Sequence, residues 1–414
     1  MERTILHCDM NSFYASVECM CNPSISDKPV AVGGSEEKRT GIILAKNQIA
    51  KKYNVKTGET LWQARQKCPH LIVVPPDFKK YIHFSKMASK IYNNYTNLVE
   101  SFGFDECWLD VTGTEHLFGN GEAVAETIRK RIKSELGITC SIGVSFNKVF
   151  AKLGSDMKKP DAVTLITKKN YKSKVWPLPV EDLLFVGKVT KQKLNRYGIK
   201  TIGDLARTDF KHLETLLGKW GYYLWGYANG LDASPVRDIE NHADIKSIGN
   251  SITAPRDLMT INDIKIILYK MAESVTERLR ENNLMCATVQ LWVKDNELKS
   301  YERQAKLIVP CAETRELFNT ALALYLKNHK TGKPVRALGV RAHNLLPSGS
   351  YQLSLDPEIN KIRKREQLEE TIDAIRQRFG HHSIQRCITL TDTGLSNINP
   401  KDEHTVHPIA WPVN

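Results

Sequence analysis

Three carboxylates in two short apolar segments constrain this chain more than any other feature: Asp9 in ILHCDMNSFY, and the adjacent pair Asp105 and Glu106 in ESFGFDECWLD. Both segments carry the branched and aromatic residues that favour strands. An acid on a strand that runs into a core is costly unless a cation answers it. Such a chain has to bring these acids to strand ends, and hard oxygen donors gathered there suit divalent ions such as Mg2+.

At 414 residues the chain exceeds one comfortable core and divides into several domains. Lys and Arg outnumber Asp and Glu by 59 to 46, a net charge of +13 that suits a polyanionic partner and equally a merely basic globular protein. Nine cysteines without a C-x-x-C pair argue against a disulfide framework or structural zinc and for a reducing cytoplasm. No stretch of about 18 apolar residues occurs, so a soluble, cytoplasmic protein is expected.

Hydrophobic periodicity predicts a strand over 4–8, a helix over 12–20, short strands over 28–33 and 42–45, and a long helix over 79–100. It continues with a strand over 107–111, a helix over 121–136, a strand over 139–145, a helix over 147–157 and a final strand. That order is ferredoxin-like and sets Asp9 beside Asp105 and Glu106 on neighbouring central strands. From 171 to 240 short helices broken by glycines take over. They read either as a linker domain or as turns whose backbone N–H groups hold a phosphate without reading bases.

Residues 247–345 repeat an α+β pattern whose strands carry Lys294, Lys299, Arg303, Lys306, Arg336 and Arg341. A solvated sheet face and a DNA-facing one explain these charges equally well. The remainder, 346–414, reads as a tail with one helix near 361–379 and little core signal.

DMNSFYASVE, FDECWLD and SFNKVFAKLGSDMKKP resemble, in order and spacing, the signature segments of Y-family translesion DNA polymerases. The resemblance implies an α+β right-hand polymerase: a ferredoxin-like palm at 1–20 and 78–170, small fingers at 21–77, a helix-hairpin-helix thumb at 171–240, an α+β little finger at 241–345 and a C-terminal tail. It also implies template-directed, low-fidelity DNA synthesis in translesion synthesis and DNA repair, by two-metal phosphoryl transfer to a primer 3′ end. Bacterial polymerase IV and the catalytic subunit of polymerase V are the types it is most similar to.

By the same resemblance Asp9, Asp105 and Glu106 are the catalytic, metal-binding acids for two Mg2+ ions, with Met10 adding a main-chain carbonyl. Tyr14 is the steric gate against a ribose 2′-OH, Phe13 lines the same pocket, and Lys159 meets the dNTP triphosphate. The polymerase IV pattern has a tyrosine and an arginine in the fingers where this chain has Gln48 and Lys51, which replaces a bidentate fork with a point charge. Together with Asn11, that departure leans toward the polymerase V type.

In the thumb, Phe185 stands where the first hairpin glycine is expected; Gly187, Lys188, Gly218 and Gly221 remain as DNA-binding candidates, with Arg336 and Arg341 in the little finger. Gln352, Leu353 and Leu355 resemble a sliding-clamp peptide whose last apolar anchor is replaced by Asp356, and a solvated linker reads the same way. Primer-template DNA, dNTPs and a sliding clamp are the expected partners of a monomer without membrane attachment. The alternatives are a non-catalytic DNA-binding replication adaptor, which has no use for three clustered acids, and a nucleotidyl cyclase, which has no use for the hairpins.

Overall fold

The computed structural model describes residues 2–37, 39–238, 245–330, 332–349 and 357–397. These residues form two compact units, one of 2–34 and 42–238, the other of 35–41 and 245–397.

The first unit is built on a five-stranded sheet. Its central strand β1 (Ile5–Met10) is followed by β2 (Val30–Gly33), β3 (Ile43–Lys46) and β4 (Ile72–Val74), which form a small separate sheet in the order β3-β2-β4. The chain then returns through β5 (Val99–Ser101), β6 (Glu106–Asp110), β7 (Cys140–Ser145) and β8 (Val163–Ile166), giving the main sheet the order β5-β6-β1-β7-β8. β1 runs antiparallel to both β6 and β7, and β7 parallel to β8. The helix expected to reach residue 100 spans Phe78–Tyr92, and turns over 93–98 lead from it to the short edge strand β5.

Alternation along β1 assigns the two faces of the sheet. Leu6, Cys8 and Met10 enter a core with Cys107, Leu109, Ile142 and the helices Phe78–Tyr92 and Gly121–Leu136. Ile5, His7 and Asp9 therefore face the opposite side, where Trp108 and Ala151 of the helix Lys148–Met157 pack. Gly143, the register partner of His7, lets that helix lie directly on the sheet: a Cβ there would sit 1.9 Å from the Ala151 carbonyl oxygen. The other side of the helix, Val149, Phe150 and Leu153, joins the core of the short helices Lys188–Arg196, Ile202–Arg207, Phe210–Leu217 and Lys219–Ala228.

The second unit carries β9 (Ser247–Leu258), β10 (Leu284–Asp295), β11 (Ser300–Cys311) and β12 (Val335–Pro347) in an antiparallel sheet of order β11-β10-β12-β9. The helices Ile261–Glu281 and Thr314–Asn328 pack on it, with Tyr269 stacked on Phe318 at 3.6 Å.

The stretch read as a tail with little core signal differs from that reading over its described residues. The helix Pro357–Phe379 and the turns after it lie against the helix Ile261–Glu281, and Ile362 and Leu395 enter the core. Arg376 and Arg386 each reach the buried Glu273 at 3.1 Å, and Arg280 reaches Asp373 at 2.7 Å. The α+β class expected from the sequence holds for both units.

Candidate active site

Asp9 and Glu106 are direct register partners across β1 and β6, so the period-two alternation presents both on the face that carries the helix Lys148–Met157. Asp105 precedes them in the bend that enters β6, where its carbonyl accepts the Met10 N–H at 3.0 Å. The sequence placed Glu106 just outside its strand; the structure starts β6 at that residue, which aligns the pair.

Two lysines meet these acids. Lys159 Nζ donates to Asp9 Oδ2 at 2.7 Å and to Asp156 at 2.8 Å, and Lys152 Nζ donates to Glu106 Oε2. Behind Glu106 the fully buried His7 sets Nε2 3.2 Å from the same carboxylate oxygen and Nδ1 2.8 Å from Ser155 Oγ. Lys159 is held by its turn: Asp161 is bound by Arg129 and Lys133, and its N–H donates to Asn11 Oδ1 at 2.9 Å.

Burial pushes the Asp9 carboxyl up to about 6 against the pull of Lys159. Burial, with the charges of Asp9 and Glu106 added, pushes Asp105 up to about 7. Burial works the same way on Glu106, but the contacts with His7 and Lys152 outweigh it and hold that carboxyl down at about 2. His7 is lowered to about 4 by its burial and is neutral at pH 7. The cluster thus mixes acids that resist ionisation with one that is firmly ionised, a pattern that marks functional sites.

Among the described residues no group of three or more Asp, Glu, His or Cys side chains is gathered as a metal-ligand set. Asp9 turns to Lys159, while Glu106 turns to Lys152 and His7.

Tyr14, half-buried on the helix Phe13–Cys21, stacks on Tyr81 at 4.2 Å and meets Phe78 edge-on at 6.0 Å. Phe78 in turn contacts Phe104, the residue before Asp105, at 6.5 Å, so an aromatic wall joins Tyr14 to the acid-bearing bend. Tyr81 donates to the buried Glu18 at 2.9 Å, which fixes the wall from behind. Phe13 is 2 % exposed and lies in the core beneath this wall, its ring 5.7 Å from that of Tyr14. Gln48 Nε2 reaches Ser12 Oγ at 3.4 Å, near the start of Tyr14's helix, and Lys51 is exposed one turn further on.

In the helical segment, Gly187 precedes the helix Lys188–Arg196 as its N-cap with no side-chain cap, and Gly218 does the same for Lys219–Ala228. Gly221 lies in the first turn of the same helix. Its N–H donates to the Gly218 carbonyl at 2.8 Å, and a Cβ would meet the Leu213 carbonyl oxygen at 2.1 Å, so it is required for packing two helices together. Phe185 adopts φ 72 and packs on Trp220 at 5.3 Å.

In the second unit Arg341 is exposed and crosses Gly249, while Arg336 is half-buried. Gln352, Leu353 and Leu355 lie outside the described residues. Lys152, His7 and Asp156 are the members of the cluster that sequence reasoning left without a role, although Lys152 and Asp156 fall inside the SFNKVFAKLGSDMKKP motif. Among the described residues no helix is long and apolar enough to cross a membrane.

Comparison with known proteins gives these features a context. Residues 8–156 match the impB/mucB/samB family and residues 245–355 match the C-terminal domain of that family. The chain is 55% identical over 399 residues to DNA polymerase IV of Acetivibrio thermocellus, covering 96% of this chain and 100% of that protein. It is 39% identical to DNA polymerase IV of Clostridium kluyveri, covering 93% and 98%, and 37% identical to DNA polymerase IV 2 of Bacillus subtilis, covering 95% and 96%. The fold is similar, with a TM-score of 0.73 at 24% identity, to the Y-family DNA polymerase chimera Dbh-Dpo4(243-245)-Dbh, covering 83% of this chain and all of that one. The polymerase V features read at Asn11, Gln48 and Lys51 thus occur in a chain whose relatives carry the name DNA polymerase IV.

Proposed function

As a member of the impB/mucB/samB family the chain is a Y-family translesion DNA polymerase of the polymerase IV type, and we propose that Asp9, Asp105 and Glu106 form its catalytic centre. The observation that supports this most directly is the cross-strand pair Asp9 and Glu106, each met by a lysine ammonium. Hard carboxylates from neighbouring strands, already answered by cations, fit a divalent metal by their chemistry. Asp9, Asp105, Glu106 and the Met10 carbonyl are the groups that would hold it, and two Mg2+ ions are the proposed complement. Such ions would neutralise charge on the attacking and leaving oxygens.

The residues of the chain do the rest. Lys159, freed from Asp9, is within reach of the same space and offers its ammonium to the triphosphate, with Gln48 and Lys51 as further contacts. Tyr14, braced by Tyr81 and Phe78, presents a fixed ring to the sugar and excludes a 2′-OH. Backbone N–H groups at Gly187, Lys188 and Gly218 hold the DNA backbone without reading sequence, and Arg341 and Arg336 of the second unit are further DNA contacts.

We assign 1–20 and 78–170 to the palm, 21–77 to the fingers, 171–240 to the thumb and 241–345 to the little finger. The described residues 357–397 go with the little finger and not with a separate tail. Residues 352–355 are proposed to bind a sliding clamp. Names of relatives as polymerases do not favour the adaptor alternative.

Primer extension with Mg2+ on intact and abasic templates tests this reading. Wild type extends both, Asp105→Asn extends neither, and Tyr14→Ala incorporates ribonucleotides. Extension by Asp105→Asn at the wild-type rate would overturn the assignment of the centre.

A further inference from the structure

Five charged side chains alternate in sign along one line of this site: Glu106, Lys152, Asp156, Lys159 and Asp9. Lys152 bonds Glu106 and stands 3.9 Å from Asp156; Asp156 bonds Lys159 at 2.8 Å; Lys159 bonds Asp9 at 2.7 Å. The spacing follows from helix geometry, since Lys152 and Asp156 are one turn apart and Lys159 lies three residues beyond. Both ends of the line rest on the proposed metal ligands.

The environments of the two lysines differ. Lys159 sits on a turn after the helix, whereas Lys152 lies within it, 15% exposed at the side chain, with its ammonium 5.5 Å from the centre of the Phe102 ring. The helix that bears it is seated on the sheet at Gly143, which denies Lys152 the freedom of a surface lysine.

Resting on the reading of Asp9, Asp105 and Glu106 as metal ligands, we infer that Lys152 is the built-in counter-ion of Glu106, competing with the metal for that carboxylate and passing to Asp156 when displaced. A divalent cation on the Glu106 carboxylate would stand within a few ångströms of the Lys152 ammonium, and the repulsion between the two like charges sets them in competition. Asp156 is half-exposed and already within 3.9 Å, so a small rotation of the Lys152 side chain exchanges one acid for the other. Lys152 is therefore a positioning residue: it keeps the Glu106 carboxylate aimed while the site lacks its cation, at the expense of metal affinity.

Calorimetric titration of the full-length protein with Ca2+, without DNA or nucleotide, tests this. Lys152→Gln should bind Ca2+ about tenfold more tightly than wild type, the worth of one charge-assisted hydrogen bond removed from the competing state. Lys152→Arg, which keeps the charge, should stay within about twofold of wild type, and Lys152→Gln should add nothing in a Glu106→Gln background. Lys152→Met keeps the stem over Phe102 and serves as a second neutral variant if the glutamine disturbs folding. Equal or weaker Ca2+ binding by both neutral variants overturns the proposal. Wild-type binding that Asp105→Asn leaves unchanged overturns instead the metal-site reading beneath it, so the two failures are distinguishable.

Discussion

Replacing Lys148 by Met should destabilise the first unit more than any comparable change on its surface. Lys148 begins the helix that carries Lys152, yet its side chain is 2% exposed: Nζ donates to Glu100 at 2.7 Å and to the Pro235 carbonyl at 3.3 Å, 4.8 Å from the centre of the Trp108 ring. Glu100 Oε2 also accepts the Arg237 N–H at 3.0 Å, and the Lys148 N–H donates to Asp232 at 3.2 Å. One buried ion pair thus pins the stretch 230–238 to the sheet. Removing the lysine alone leaves a buried carboxylate without its partner, which costs about 3–5 kcal/mol.

For a unit of this size that is a fall in Tm of roughly 6–20 °C. Adding Glu100→Gln removes the orphaned charge while leaving an acceptor for Arg237, and most of the loss should return. A pH signature accompanies it. Burial lowers the Lys148 amine from 10.5 to about 8 even with Glu100 beside it. Between these values the unfolded chain binds more protons, so wild-type stability gains up to about 3 kcal/mol from this group as pH rises. Lys148→Met should lack that gain. Thermal unfolding of wild type and the two variants between pH 7 and pH 10 measures both effects. A single-variant loss under about 1 kcal/mol, or a double variant no more stable than the single, would refute the reasoning.

Other outcomes follow from the same structure. Phe185 holds a left-handed φ at a cost of about 1 kcal/mol, offset by its rings' contacts with Trp220 and Tyr227. Phe185→Gly should therefore be near neutral in urea unfolding and Phe185→Ala worse by about 1–2 kcal/mol; an alanine variant as stable as the glycine one contradicts this. Asp9 and Asp105, raised to about 6 and about 7, keep protons that the unfolded chain releases above its value of 3.8. The metal-free protein should thus lose stability as pH rises through that window, and the Tm gain on adding Mg2+ should be larger at pH 7.5 than at pH 5; a gain independent of pH speaks against it. Gly143→Ala drives a Cβ to 1.9 Å from the Ala151 oxygen and should lower both stability and primer extension, whereas Gly154→Ala, whose nearest neighbour is 3.1 Å away, should be milder. Equal effects at the two positions would mean that the helix yields freely.

What could be read from sequence and what could not divides along one physical line. Alternation and motif spacing brought Asp9 to Glu106, because strand register follows from period-two patterning that a linear sequence displays. Lys152 was invisible by the same logic: a lysine four residues after Lys148 on a helix reads as a solvated charge, and only the seat of that helix on Gly143 turns it onto Glu106. The helix Pro357–Phe379 is legible as a helix but not as a packed one, for the related reason that its charges find distant partners: Glu273 lies more than a hundred positions earlier in the chain than Arg376. Gly221 shows the ambiguity inside a motif, since a glycine serves a phosphate-gripping turn and a close helix contact alike, and only the structure shows that a Cβ there would meet the Leu213 carbonyl oxygen. In each case the missing information is the partner. Apolar residues declare their burial by periodicity alone, but a charge is buried or solvated according to what stands opposite it, and in this protein those opposites are supplied by other elements. The same dependence makes the proposed catalytic acids adjustable: Asp9 and Glu106 are held by lysines from a separate helix and the turn after it, and side chains supplied from another element can give way to a metal.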